Sequence, residues 1–300
     1  MGTELCGGCH ANGLLFVQLK LRTLLKRGFG HSRTHTYSAS VNFAQFAFLF
    51  KSIQIPPDRF RRYLKQVRQN LYLNLALRSK LDKNGDVIYT GPVDPGKKEC
   101  EHPEQAFRDA VSVVEERGIP WAFVYGNHDT ENRITPDGLM DVIQQHAHTV
   151  TERGPREIAG LGNYTLEIAG ADGSPAAVLY LLDSGNYSQI ESIPGYGWIQ
   201  PNQIQWLMSE STRVNPDRSR GDKLPALAFF HIPIPEYQSM WDTQICYGSK
   251  YEPVCSAQVN SGLFSALLEM GDVMGTFCGH DHLCVRGQIE SGAYFTFVLT

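Results

Sequence analysis

The stretch Phe123-Val-Tyr-Gly-Asn-His-Asp129 decides how the chain is read. Apolar and aromatic residues from Trp121 to Tyr125 run out of Gly118, Ile119 and Pro120 into the polar turn Gly126, Asn127, His128 and Asp129. That pattern predicts a short buried strand ending in a tight turn that carries an amide, an imidazole and a carboxylate in succession. Ligands in open α/β sheets bind at the carboxyl ends of strands. Polar residues crowded on such a loop serve function more often than packing. The design recurs twice. The largely apolar run Val273 to Cys278 leads into Gly279, His280, Asp281 and His282, and the run Ala226 to Phe230 leads into His231. Three predicted strands therefore bring histidine to their C-terminal ends.

Around this meeting point the chain reads as scaffolding. Its 300 residues suit one large α/β domain or two small ones. The net charge of −4 gives no electrostatic case for nucleic acid or an anionic membrane surface. No run of about 18 apolar residues is present to span a membrane. We therefore expect neither nucleic acid nor membrane as a partner. The N-terminus lacks the charged-then-apolar layout of a signal peptide, so the expectation is a cytoplasmic chain. A true N-terminus carrying such a peptide would make it secreted, and only then would the sequons at Asn163 and Asn186 matter. Cys6, Cys9 and His10 resemble half a zinc knuckle, with no second pair at finger spacing. Cys278 and Cys284 read as buried free thiols.

In order, Leu14 to Val17 suggests a strand, and Lys20 to His35 is basic and broken by Gly28 and Gly30. Arg59 to Leu77 has helical spacing of Phe60, Leu64, Val67 and Leu71. Asp86 to Thr90 follows a turn signal and reads as a strand. Pro103 to Arg117 predicts a helix with Phe107, Ala110, Val111 and Val114 as its apolar stripe and Gly118 as its stop. Pro136 to His148 predicts another, with Leu139, Met140 and Ile143 facing inward. Asn163 to Ala169 and Ala176 to Leu182 form a hairpin across a Gly- and Pro-rich turn. Pro201 opens a helix through Met208, Asn215 to Lys223 is polar and exposed, Ile232 to Val259 is a long loop, and Ser261 to Met270 is helical. The aromatic loop Tyr187 to Trp198 and the loop after Ile232 are placed to wall the pocket. Strands alternating with helices argue α/β.

Imidazole nitrogen, amide oxygen and carboxylate oxygen together suit zinc or another first-row transition metal. Two such metals about 4 Å apart clamp both the attacking and the leaving oxygen of a phosphate ester. A histidine outside the coordination sphere, His128 oriented by Asp129, stabilises phosphoryl charge or protonates the leaving group. His10, His31, His35, His102, His146 and His148 read as polar caps. The last two sit two apart on a predicted helix and face different sides.

The ordered set Gly126-Asn-His-Asp129, Phe229-Phe-His231 and Gly279-His-Asp-His282 resembles the calcineurin-like metallophosphoesterase superfamily. It is similar most closely to the purple-acid-phosphatase-like branch of plants and fungi that includes the Dcr2-type phosphatases. Asn163 to Ile168, Leu182 to Ser188, Pro194 to Ile199, Phe229 to Pro233 and Val259 to Phe264 carry the likeness too, which covers about Asp86 to Leu283. It implies an α/β fold of two mixed β-sheets packed as a sandwich and flanked by helices, with degenerate or incomplete N- and C-terminal ends. Residues 1–80 would be a poorly matching segment and 81–300 the metallophosphoesterase domain, incomplete at its C-terminus. By the same resemblance Asn127, His231 and His280 ligate one metal and His282 the other. His128 is the catalytic histidine and Asp129 its neighbour in the motif. The cofactors implied are iron, manganese or zinc ions, two in the family. The implied substrate is a phosphate ester.

The departures bear on activity. The family's bridging aspartate sits in a Gly-Asp motif after the strand matching Asp86 to Thr90, where this chain reads Gly91-Pro-Val-Asp94. Proline cannot bridge metals, and Asp94 takes that place only if the loop shifts by two residues. The metal-colouring tyrosine of purple acid phosphatases falls at Pro95, so no purple band is expected. The opening Asp-x-His motif is missing: Lys20 to Thr23 follow Leu14 to Leu19 instead. Two readings stay open. The chain is a metal-dependent phosphatase acting on phosphomonoesters, phosphoproteins among them, or it is a catalytically impaired remnant binding one metal or a phosphorylated partner.

Overall fold

In a computed structural model of the chain, the structure describes residues 14–15, 100–170, 172–216, 222–244, 246–250, 253–281, 283–288 and 294–297. Helix α1 (Pro103–Glu115) begins on Pro103, whose missing N–H costs nothing in a first turn. Its stripe of Phe107, Ala110, Val111 and Val114 is buried. Gly118, at φ 61°, reverses the chain after the helix. The chain then enters strand β2 (Ala122–Phe123), which pairs antiparallel with β1 (Leu14–Leu15). Helix α2 (Pro136–Gln144) is capped by the Thr135 hydroxyl, which accepts from Gly138 N–H at 3.1 Å. Both helices pack on one side of β2, through Phe107, Trp121, Phe123, Tyr125, Leu139 and Ile143.

The larger sheet holds β3 (Tyr164–Ala169), β4 (Pro175–Leu181), β5 (Ala226–Phe229), β6 (Cys246–Lys250), β7 (Val273–Cys278), β8 (Leu283–Gln288) and β9 (Tyr294–Phe297) in the order β3-β4-β5-β7-β9-β8-β6. Its centre, β4 to β9, is parallel; β3 and the β8–β6 pair are antiparallel to their neighbours. Side chains alternate across a strand, and both faces are apolar. Leu179, Leu181, Leu227 and Phe229 meet Ala122 and Val124 of the smaller sheet. Val178, Tyr180, Ala226 and Ala228 face α3 (Pro201–Val214), α4 (Glu236–Thr243) and α5 (Leu263–Met270). The result is helices, sheet, sheet, helices: the mixed α/β sandwich expected from the sequence. No described helix is long and apolar enough to cross a membrane.

Several local readings change. Helix α2 stops at Gln144, so His146 and His148 lie beyond it, and the His146 ring packs edge-on against Trp121 at 5.7 Å. Helix α3 continues six residues past Met208. Asn215, expected to be exposed, is buried: its amide donates to Ser211 C=O and accepts from Leu224 N–H at 2.7 Å. Its polarity satisfies the backbone inside the fold. The loop after Ile232 contains α4 and the strand β6, whose sequence Cys-Tyr-Gly-Ser-Lys lacks the apolar alternation that marks a strand. Cys278 is buried and free, as expected. The expected strand at Asp86 to Thr90, the helix at Arg59 to Leu77, the cluster Cys6, Cys9 and His10, and the side chain of Cys284 lie outside the described residues.

Candidate metal centre

Each histidine-bearing turn is fixed by its own backbone bonds. After β2, the Asp129 carboxylate accepts Gly126 N–H at 2.8 Å and closes the turn that presents Asn127 and His128. Asn127 and Asp129 are buried. After β5, the Ser184 hydroxyl accepts N–H from both His231, at 3.2 Å, and Ile232, at 2.9 Å. Gly279 N–H donates to His231 C=O at 3.0 Å, which locks the end of β7 beside the end of β5. His280 then adopts φ 75°, a left-handed conformation unusual for a residue with a Cβ. Asp281 anchors that turn, its carboxylate accepting Cys255 N–H at 3.1 Å.

The three turns converge. Asn127 Oδ1 lies 2.9 Å from His231 Nε2 and 2.9 Å from His280 Nδ1, and the two histidine nitrogens are 3.3 Å apart. Donors bound to one zinc-like ion at its usual bond lengths, at 90–109° to one another, stand roughly 3 to 3.4 Å apart. The triangle thus has the dimensions of one face of a coordination shell, and its atoms are the lone-pair donors such an ion takes. The residues fit a metal. Burial, with His280 and His128 beside it, pushes His231 well below the ordinary histidine pKa and keeps its ring neutral, as ligation demands. Among the described residues no three His, Cys, Asp or Glu side chains gather in one metal-sized cluster; the set here is two histidines and an amide.

His128 follows Asn127 on the turn, and its Nδ1 sits 2.9 Å from Glu131 Oε2. The other oxygen of Glu131 accepts the Tyr187 hydroxyl at 2.5 Å. Tyr187 stacks on Tyr196 with centroids 5.8 Å apart, and the Tyr196 ring stands edge-on to His280 at 4.3 Å. The structure thus brings Asn127, His128, His231 and His280 to one place and adds Glu131, Tyr187 and Tyr196. Sequence reasoning had only the aromatic loop as a wall. The usable signal for Glu131 was a carboxylate three residues after a histidine in a polar turn. Asp94 and His282 lie outside the described residues. Asn163 is buried, with its amide committed to Ala159 C=O, Asp183 N–H and Gln203 Nε2, so that sequon is closed in the folded chain.

Strand-end histidines and an amide gathered at one edge of a layered α/β sandwich suit a metal, and comparison with known proteins gives the family. The family model of the calcineurin-like phosphoesterases matches residues 58–284, and the chain belongs to that family. It is 30% identical over 237 residues to probable inactive purple acid phosphatase 14 of Arabidopsis thaliana, covering 74% of this chain and 59% of that protein. It is 38% identical over 180 residues to probable inactive purple acid phosphatase 29 of the same plant, covering 55% of this chain and 46% of that protein. It is 32% identical over 223 residues to phosphatase DCR2 of Saccharomyces cerevisiae, covering 69% of this chain and 38% of that protein. The chain therefore spans between 38% and 59% of the length of these relatives. Among solved structures, a dimetal phosphatase from Danio rerio matches with a TM-score of 0.45 at 18% identity, covering 65% of each chain.

Proposed function

We propose that the chain hydrolyses phosphomonoesters at a metal centre held by Asn127, His231 and His280, with His128 as its catalytic histidine. The observation that carries this reading is the triangle of donor atoms at 2.9, 2.9 and 3.3 Å with His128 on the adjoining turn. Family membership supports the class of reaction. A bound iron, manganese or zinc ion supplies Lewis acidity toward a phosphoryl oxygen. Asn127 contributes a neutral oxygen and the two histidines neutral nitrogens. His128 gives a hydrogen bond or a proton to the ester oxygens. By the family resemblance His282 would ligate a second ion, and Asp94 would take the bridging place only with a two-residue shift of its loop. Metal content per chain after loading, paired with hydrolysis of an aryl phosphate, tests the proposal. Bound metal with metal-dependent turnover is expected; well-folded, loaded protein without turnover would sink it.

The second reading, a remnant that binds one metal or a phosphorylated partner, is favoured by one observation in the sequence: Pro92 stands where the family places its bridging aspartate. The two Arabidopsis relatives carry names that call them probable inactive. Pro92→Asp separates the readings. If turnover appears only in the variant, the native chain lacks its bridge and the remnant reading holds.

A further inference from the structure

We infer that Glu131 is the residue that positions His128, fixing its tautomer and ring orientation, with Tyr187 as the second anchor of the same carboxylate. The inference rests on the proposed role of His128, and it starts from how Glu131 is spent. Its side chain is only 7% exposed, against 20% for His128. Both oxygens are engaged, Oε2 by His128 Nδ1 at 2.9 Å and Oε1 by the Tyr187 hydroxyl at 2.5 Å. An ionised carboxylate offers acceptors alone. The ring nitrogen facing it must therefore carry hydrogen, so a neutral His128 is held as the Nδ1–H tautomer. Nε2 is then the atom that takes up a proton, and the doubly protonated ring donates from it to the ester oxygens.

Tyr187 is suited to the anchoring role. A phenol keeps its hydrogen at neutral pH, so the Tyr187 hydroxyl is the donor to this carboxylate. Its contact with Glu131 joins positions 56 residues apart. The aromatic loop closes on itself there, with Gly197 N–H donating to Asn186 C=O and Ser188 N–H to Gly195 C=O. Through Tyr196 the same loop rests on His280. One loop thus sets the position of the proton-handling histidine and abuts a donor of the metal triangle. Asp129, the sequence neighbour of His128, spends one oxygen on closing the turn.

The test is nitrogen NMR of histidine-labelled, zinc-loaded full chain, at a pH where the ring is neutral, with His128 assigned by its loss in His128→Asn. We expect His128 as the Nδ1–H tautomer in the native chain and in Tyr187→Phe. Glu131→Gln, whose amide oxygen still accepts, should retain it, and Glu131→Ala should shift it toward Nε2–H. Kinetically, Glu131→Ala should lower kcat on an aryl phosphate by about 10- to 100-fold, by analogy with losing the outer partner of a metal-bound histidine, with KM within about twofold and most of the loss recovered in Glu131→Gln. An Nε2–H tautomer in the native chain overturns the inference without any variant. So does an unchanged tautomer in Glu131→Ala. If the native chain turns over no phosphate ester, the hydrolase reading fails while the tautomer comparison still decides the role of Glu131.

Discussion

His231 concentrates the chemistry of the site at the scale of one residue. Its ring is buried, held neutral and aimed at Asn127. In the unfolded chain a histidine takes a proton near pH 6.5; in the folded chain His231 does not. The unfolded state then binds more protons, so stability is present above that pH and falls as the pH drops below it. His146, also lowered by burial, adds to the same slope. Urea midpoints of the metal-free chain should fall between pH 7.5 and pH 5.5, and His231→Gln should flatten the fall without abolishing it. A midpoint that rises on acidification would contradict this. For the metal, His231→Ala should weaken zinc binding by more than the about 10- to 100-fold that loss of an outer-sphere partner costs; titration calorimetry reads it directly. The three residues that converge, Asn127, His231 and His280, were legible because each follows an apolar run, a pattern local in sequence. Glu131 with Tyr187 was not, since that pairing exists only after the loop has folded back.

The elements were read best where pattern and packing agree. Helix α1 shows this: its stripe was visible in spacing, and Phe107 meets Phe123 edge-on at 5.5 Å. Phe107→Ala should cost about 3–5 kcal/mol, as in other large-to-small core changes, measured by denaturant unfolding. The hairpin of β3 and β4 was equally plain. Strand β6 and helix α4 were not, because β6 is an edge strand of mixed polarity and α4 is a two-turn helix in a Pro-rich stretch. Turns between elements hold constraints that residue type alone does not reveal. Gly154 sits at φ 72°, and a Cβ there would lie 2.0 Å from the Asn163 carbonyl oxygen. The left-handed conformation alone costs a non-glycine residue about 1–2 kcal/mol, and the carbonyl cannot retreat without disturbing Asn163, whose side chain ties Asp183 to Gln203. Gly154→Ala should therefore destabilise by at least about 2 kcal/mol. Thermal melting within a degree of the native value would refute the account.

For the whole molecule the strand order matters more than any one strand. β9 comes after β7 and β8 in the chain yet lies between them, parallel to β7 and antiparallel to β8. Cutting the chain after Gln288 should leave β7 with a bare edge, and β7 leads directly into the turn of His280. Such a protein should be recovered mainly as aggregate and should bind no zinc in its soluble fraction; a monomeric, zinc-binding product would show that β9 is dispensable. The layered sandwich was legible from alternating strands and helices, whereas this insertion of a late strand was not. Pairing partners distant in sequence leave no mark in local composition.

The same insertion orders events at the ribosome. Strand β7 leaves the ribosome ahead of β9, its neighbour in the sheet. Until β9 follows, the nascent sheet stands open along the edge that leads to His280. Chaperone contact during synthesis should therefore concentrate on β7 and end when β9 arrives. On the proposed reading, metal capture should follow the arrival of β9 rather than precede it.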